Sequence, residues 1–123
     1  MNTKAIIIDD SPIIRRVAAL ILKSQNVATR EACNGEEALT ILERDSSYRL
    51  LLVDWNMPKM NGLELIKRVR KEARYNHIKL FVITANDIEE TFRLAKENGA
   101  DDYLVKPISK IVVANKLRQH GLN

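Results

Sequence analysis

Cysteine is almost absent from this chain: a single residue, Cys33, cannot form an internal disulfide, and its thiol reads as structural rather than reactive. Long apolar runs are missing as well. The longest candidates, Ala5 to Ile8 and Leu50 to Val53, are strand-sized and far short of the ~20 residues a membrane span needs, so no membrane insertion is expected. Asp9 and Asp10 interrupt the first apolar stretch too early for a signal peptide, which makes cytoplasmic residence the expectation. Only two histidines occur, His77 and His120, with no ligand spacing between them, and both read as surface residues. Linkers, internal repeats and low-complexity segments are lacking too. There is also no concentrated basic patch, although the net charge is +4 and the pI near 9.3. The densest basic group, Lys67, Arg68, Arg70, Lys71 and Arg74, falls within one predicted helix whose other face carries Ile66, Val69 and Ala73. That pattern reads as a solvated helix face, and direct nucleic-acid binding is not expected.

What is present is an ordinary globular composition, 46% hydrophobic and 29% charged over 123 residues, the size of one compact domain. Five short apolar runs alternate with five amphipathic stretches, the signal of βαβ units around a parallel sheet, so the fold class is α/β. Ala5 to Ile8, Leu50 to Val53 and Leu80 to Ile83 are continuously apolar, as strands covered on both faces should be. Val27 to Glu31 and Asp102 to Val105 are weaker and are expected at the edges. Ser11-Pro12 opens a first helix that carries Ile14, Val17, Ala18 and Ile21 at helical spacing. Asn34 with Glu37, Asn61 with Glu64 and Asp87 with Glu90 resemble capping boxes. Asn98-Gly99 stops the fourth helix, and Ser109 caps a fifth running through Ile111, Val112 and Leu117.

Polar residues fall immediately after the strands: Asp9-Asp10 after the first, Asp54 after the third, Thr84 after the fourth and Lys106 after the fifth. In an open α/β sheet these carboxyl ends form the edge where ligands bind, so groups distant in sequence should meet there. Three carboxylates drawn together repel one another and demand a proton or a cation. Lys106 supplies one positive charge, and oxygen-only ligands favour a hard divalent ion, Mg²⁺ first and Mn²⁺ possible. A carboxylate can itself be a nucleophile toward phosphorus, forming an acyl phosphate while metal and lysine neutralise charge.

Ile8-Asp9-Asp10-Ser11, Val53-Asp54-Trp55-Asn56-Met57-Pro58, Asn61-Gly62, Thr84-Ala85 and Lys106-Pro107 together resemble the receiver domains of two-component response regulators, the CheY-like family. The resemblance extends from Lys4 to about Leu117 and is especially close to the chemotaxis members. It implies a doubly wound (βα)5 flavodoxin-like fold with strand order 2-1-3-4-5, and one receiver domain over residues 1–123. It further implies Asp54 as phosphoacceptor, with Mg²⁺ ligated by Asp10, by Asp54, by the backbone carbonyl of Asn56 and, through water, by Asp9. Lys106 would pair with Asp54 and then with the phosphoryl group. Thr84 would move its hydroxyl onto that group and Tyr103 would turn inward, altering the face made by the fourth helix, fifth strand and fifth helix. Lys106-Pro107 would be a cis peptide. The implied phosphodonor is a histidine kinase or histidine phosphotransfer domain. The implied output is an unidentified protein partner regulated by a monomeric switch that is no enzyme beyond its own phosphorylation and dephosphorylation.

Asn86 and the acidic turn Asp87 to Glu90 neighbour surfaces that relatives use for partners, while Trp55, Met57 and Met60 line the loop after the acceptor, where they either pack or meet a donor protein. Met1 lies close to the first strand, which favours a natural start over a receiver excised from a hybrid kinase or multidomain regulator. Two rival classes fit less well. An aspartyl-nucleophile phosphohydrolase would want an Asp-x-Asp pair, where this chain has adjacent Asp9-Asp10. A flavin binder would want a glycine-bearing phosphate loop, where this chain has Asp9-Asp10-Ser11-Pro12.

Overall fold

Each apolar run becomes a strand and each amphipathic stretch a helix in the computed structural model, which describes residues 3–57, 60–85 and 88–123. In chain order the elements are β1 (Thr3–Ile8), α1 (Pro12–Lys23), β2 (Val27–Ala32), α2 (Gly35–Arg44), β3 (Leu50–Asp54), α3 (Gly62–Arg70), β4 (Lys79–Thr84), α4 (Ile88–Glu97), β5 (Asp102–Val105) and α5 (Lys110–Gln119). A 3-10 turn at Ala73–Tyr75 lies between α3 and β4. The strands pair in parallel in the order β2-β1-β3-β4-β5, so the two weaker runs are the edges, as their composition implied.

Alternation along the strands sorts side chains into two cores. Ile6, Ile8, Leu51, Val53, Leu80 and Val82 face α2 and α3, meeting Leu42, Leu65, Ile66 and Val69. Ala5, Ile7, Leu50, Leu52, Phe81 and Ile83 face α1 and α5, meeting Ala18, Leu22, Val113 and Leu117. Burial on both faces explains why the stretches 5–8, 50–53 and 80–83 carry no polar residue.

Four helix starts form as their caps predict. The side chains of Ser11, Asn34, Asn61 and Ser109 accept from the backbone N–H of Ile14, Glu37, Glu64 and Val112. The expected Asp87 cap lies outside the described residues, as do Pro58 and Asn86. Gly99 follows α4 with φ of +114°, and a Cβ there would come within 2.5 Å of the Arg70 side chain, so the position demands glycine.

Several expectations need correction. The basic helix ends at Arg70, leaving Lys71 as its cap and Ala73 in the 3-10 turn. Nor is Arg70 part of a solvated face. Its guanidinium donates to the carbonyls of Gly99 (3.0 Å), Tyr75 (3.1 Å) and Ile78 (2.6 Å) and to Asp101 Oδ2 (3.0 Å), while the same carboxylate oxygen accepts the Leu80 N–H at 2.8 Å. The chain breaks its helix to feed β4, and Arg70 bridges the turn before β4 to the loop after α4. Val17 is 45% exposed and lies with Ile13 and Leu20 on the outer face of α1, because the buried positions of that helix are Ala18 and Leu22. Cys33 is exposed, not packed inside. Its thiol donates to Glu37 Oε2, and that bond to a carboxylate raises the thiol pKa and keeps it protonated. His120 is not a free surface residue either, since its Nε2 lies 3.0 Å from Asp102 Oδ2. His77 is exposed, with Nε2 against the Ser46 carbonyl. Among the described residues no helix is long and apolar enough to cross a membrane.

Replacing Arg70 by methionine keeps most of the stem but removes the guanidinium donor from the carbonyls of Gly99, Tyr75 and Ile78 and from the Asp101 carboxylate. The expected loss is about 2 to 4 kcal/mol of unfolding free energy, read from urea denaturation. An unchanged midpoint would show that water replaces the guanidinium without cost.

Candidate functional site

From β1 the chain crosses to β2 on one side of the sheet, and from β3 it crosses to β4 on the other, so a crevice opens between the carboxyl ends of β1 and β3. Asp9 and Asp10 leave β1 there, and Asp54 is the last residue of β3. One carboxylate oxygen from each of the three lies within 4.8 Å of the others. Asp9 is 0% exposed and Asp54 3%, while Asp10 is open to solvent. Lys106, just beyond β5, extends its ammonium to 3.2 Å from Asp54 Oδ1 and 3.6 Å from Asp9 Oδ2.

Local backbone geometry fixes these groups. The Asp9 N–H donates to the Ala32 carbonyl at 3.1 Å, and Asp9 Oδ1 accepts the Ser11 N–H at 2.9 Å. Arg15 donates from Nη1 to the Asp9 carbonyl at 2.6 Å and from Nε to Glu31 Oε1 at 3.0 Å, pinning the β1–α1 corner to the end of β2. The Asn56 N–H lies 3.4 Å from Asp54 Oδ1, turning the following loop toward the acceptor crevice. A Cβ on Gly62 would sit 3.0 Å from the Asp54 carbonyl and from Trp55 Cα, so glycine here lets the start of α3 press against that loop. Lys106 is anchored by its N–H to the Thr84 carbonyl at 2.9 Å, and the Lys106-Pro107 peptide is cis, as the resemblance implied.

The electrostatics are unbalanced. Burial pushes the Asp9 carboxyl above its ordinary value, against the Ser11 N–H and Lys106, which favour the anion. Burial raises Asp54 as well, and the Asp9 charge adds to it, while Lys106 opposes both. Asp9 Oδ2 is buried without a hydrogen bond among the described residues. Three carboxylates against one ammonium, with an orphaned oxygen facing the crevice, make a donor set suited to a divalent cation that prefers oxygen.

The remaining expected residues lie nearby. Thr84 ends β4, 2% exposed, paired in register with Val105. Tyr103 is half-buried on β5, its ring 4.8 Å from that of Phe92 and 4.4 Å from Lys116 Nζ. Asn56 is exposed, Met57 is buried, and Trp55 and Met60 pack against the core. Sequence reasoning missed Arg15, whose only signal was a basic residue one turn into α1. It also missed Lys116 with Asp102, which sit on different elements and share no motif.

Residues 5–118 match the sequence profile described as the response regulator receiver domain. A chemotaxis protein CheY homolog of Campylobacter jejuni is 35% identical over 121 residues, spanning 93% of this chain and 88% of that protein. Chemotaxis protein CheY1 of Helicobacter pylori is 35% identical over 115 residues, spanning 93% of each. The solved structure of Vibrio cholerae chemotaxis protein CheY4 superimposes with a TM-score of 0.89 at 28% identity, over 97% of this chain and 98% of that one.

Raised carboxyl pKa values in the folded state mean that the native protein holds protons the unfolded chain has released. Metal-free stability therefore falls as pH rises from the ordinary carboxyl range through the folded values. Asp54→Asn should flatten that dependence and raise neutral-pH stability by about 1 kcal/mol in the absence of divalent ions, read by thermal melts across pH. Trp55 is the sole tryptophan and adjoins Asp54, so its fluorescence should report cation binding. Asp10→Asn should weaken that titration by at least about tenfold.

Proposed function

The chain belongs to the response regulator receiver domain family, and we propose that it is a phosphorylation-activated switch that accepts a phosphoryl group on Asp54. The observation that carries this reading is a buried Asp54 carboxylate held beside the Lys106 ammonium at 3.2 Å, with two further carboxylates gathered at the same crevice. The donor is a phosphohistidine on a histidine kinase or a histidine phosphotransfer domain. An Asp54 oxygen attacks phosphorus in line. The P–N bond breaks, its electron pair leaves with the imidazole, and an acyl phosphate remains on Asp54.

Mg²⁺, with Mn²⁺ as a substitute, would be held by Asp10, Asp54, the Asn56 carbonyl and, through water, Asp9, and would supply charge neutralisation for the transferring group. Lys106 offsets the charge that Asp9 and Asp54 concentrate, then turns to a phosphoryl oxygen. Thr84 moves its hydroxyl toward the new group, and Tyr103 follows inward, changing the face of α4, β5 and α5. Phosphorylation thus biases an equilibrium between two arrangements.

The chain acts as a single monomeric receiver domain in the cytoplasm, assisting only its own phosphorylation and dephosphorylation. The output is a protein partner, and the CheY relatives point to chemotaxis. A receiver module within a longer regulator is the second reading.

Incubation with Mg²⁺ and acetyl phosphate should add the mass of one phosphoryl group to the intact protein, and Asp54→Asn should abolish the gain. Equal labelling of that variant would place the acceptor elsewhere. Lys106→Ala should retain cation binding by Trp55 fluorescence yet lose most of the phosphorylation-dependent change at Tyr103, followed by NMR of its ring.

A further inference from the structure

Asp102 opens β5 at 9% exposure, and both of its carboxylate oxygens are taken by α5. Lys116 Nζ lies 2.5 Å from Oδ1 and His120 Nε2 3.0 Å from Oδ2, two residues one helical turn apart. The Tyr103 N–H also donates to Oδ1 at 2.8 Å. Burial works against the Asp102 charge, but the bonds from Lys116 and His120 outweigh it and hold the carboxyl below its ordinary value. His120 is itself seated by a tilted contact with the Phe81 ring at 4.9 Å. The carboxylate therefore clamps the end of α5 to β5 and leaves the Lys116 ammonium little freedom.

That ammonium lies 4.4 Å from the centroid of the Tyr103 ring, while Phe92 of α4 meets the same ring at 4.8 Å. A cation over a ring face is attracted by the ring quadrupole, and the attraction exists only while the ring faces the cation. We infer that Lys116, anchored by Asp102, is a positioning residue that holds the Tyr103 ring in the half-buried pose it takes between Lys116 and Phe92 and so sets the resting balance of the switch. The inference rests on the reading of Tyr103 as the readout of Asp54 phosphorylation.

The physical argument is one of differential contact. An interaction made in one arrangement and lost in the other shifts their populations by its full strength, whereas a contact equal in both shifts nothing. Lys116 has such a contact because its ammonium is tethered to Asp102 and does not travel with the ring. A second consequence follows by linkage. A partner on the α4, β5 and α5 face that draws Lys116 away with an acidic group releases the ring, and ring release by phosphorylation favours that partner in turn.

The test measures the Tyr103 χ1 population from three-bond N–Cγ and C′–Cγ couplings in unphosphorylated, metal-free protein. Lys116→Met keeps the stem and removes the charge; it should shift the rotamer ratio by about two- to fivefold away from the pose that faces Lys116. Lys116→Arg should restore the wild-type ratio. Asp102→Asn leaves the ammonium present but loosely held, and should give a smaller shift in the same direction, providing a second variant should Lys116→Met unfold. Wild-type couplings in both Lys116→Met and Asp102→Asn, with melting temperatures alone reduced, would reduce the clamp to an anchor for α5 and overturn the inference. The underlying reading fails separately: Tyr103 couplings in wild-type protein would then be the same before and after acetyl phosphate with Mg²⁺.

Discussion

Two buried carboxylates, Asp9 and Asp54, face one ammonium at the carboxyl edge of the sheet, and that imbalance governs the rest of the structure. Burying like charges is costly, and folding tolerates it only because the surrounding core is firmly built. The two apolar layers on either side of β1, β3 and β4 supply that support, and their residues are nearly all inaccessible to solvent. The protein thus stores charge repulsion at an edge whose oxygen donors suit a divalent cation. Stability in the absence of ligand is lower than the core alone would allow, and binding is correspondingly favoured.

The supporting contacts show how such a site is held open. Arg15 ties the Asp9 carbonyl to Glu31, Gly62 lets α3 approach the loop after Asp54, and the Lys106 N–H is bound to the strand that ends in Thr84. Each constraint reaches the crevice through backbone rather than through the reacting side chains. Asp9 Oδ2 consequently keeps its position without a hydrogen-bond partner among the described residues. At the start of β5 a carboxylate is again the fixed point, since Asp102 holds Lys116 beside the Tyr103 ring.

Legibility from sequence divided along a physical line. The α/β class, the edge strands and four helix caps were readable because they depend on periodicity and on neighbours three residues apart. The basic helix was drawn too long because Ala73 continued the apolar rhythm, although the chain had to turn toward β4. Arg70 was mistaken for a solvated residue for the same reason: its acceptors are carbonyls, which carry no sequence signature. Val17 was placed inward by helical spacing but sits on the outer side of α1, and Cys33, read only as a structural thiol, is exposed in the turn before α2.

For the candidate site, sequence alone placed the polar residues at strand ends, and the family resemblance named Asp9, Asp10, Asp54, Thr84 and Lys106 as the set to expect there. Strand ends are local features, and a parallel sheet brings them to one edge whatever the details of packing. Tertiary structure decided which oxygens face Lys106, which oxygen of Asp9 has no hydrogen bond among the described residues, that Arg15 braces the corner beside Asp9, and that Asp102, Lys116 and His120 tie the end of α5 to the start of β5. Those facts depend on distances between residues far apart in the chain. They follow from how helices settle on the sheet, a choice made by the sum of many side-chain volumes rather than by any motif.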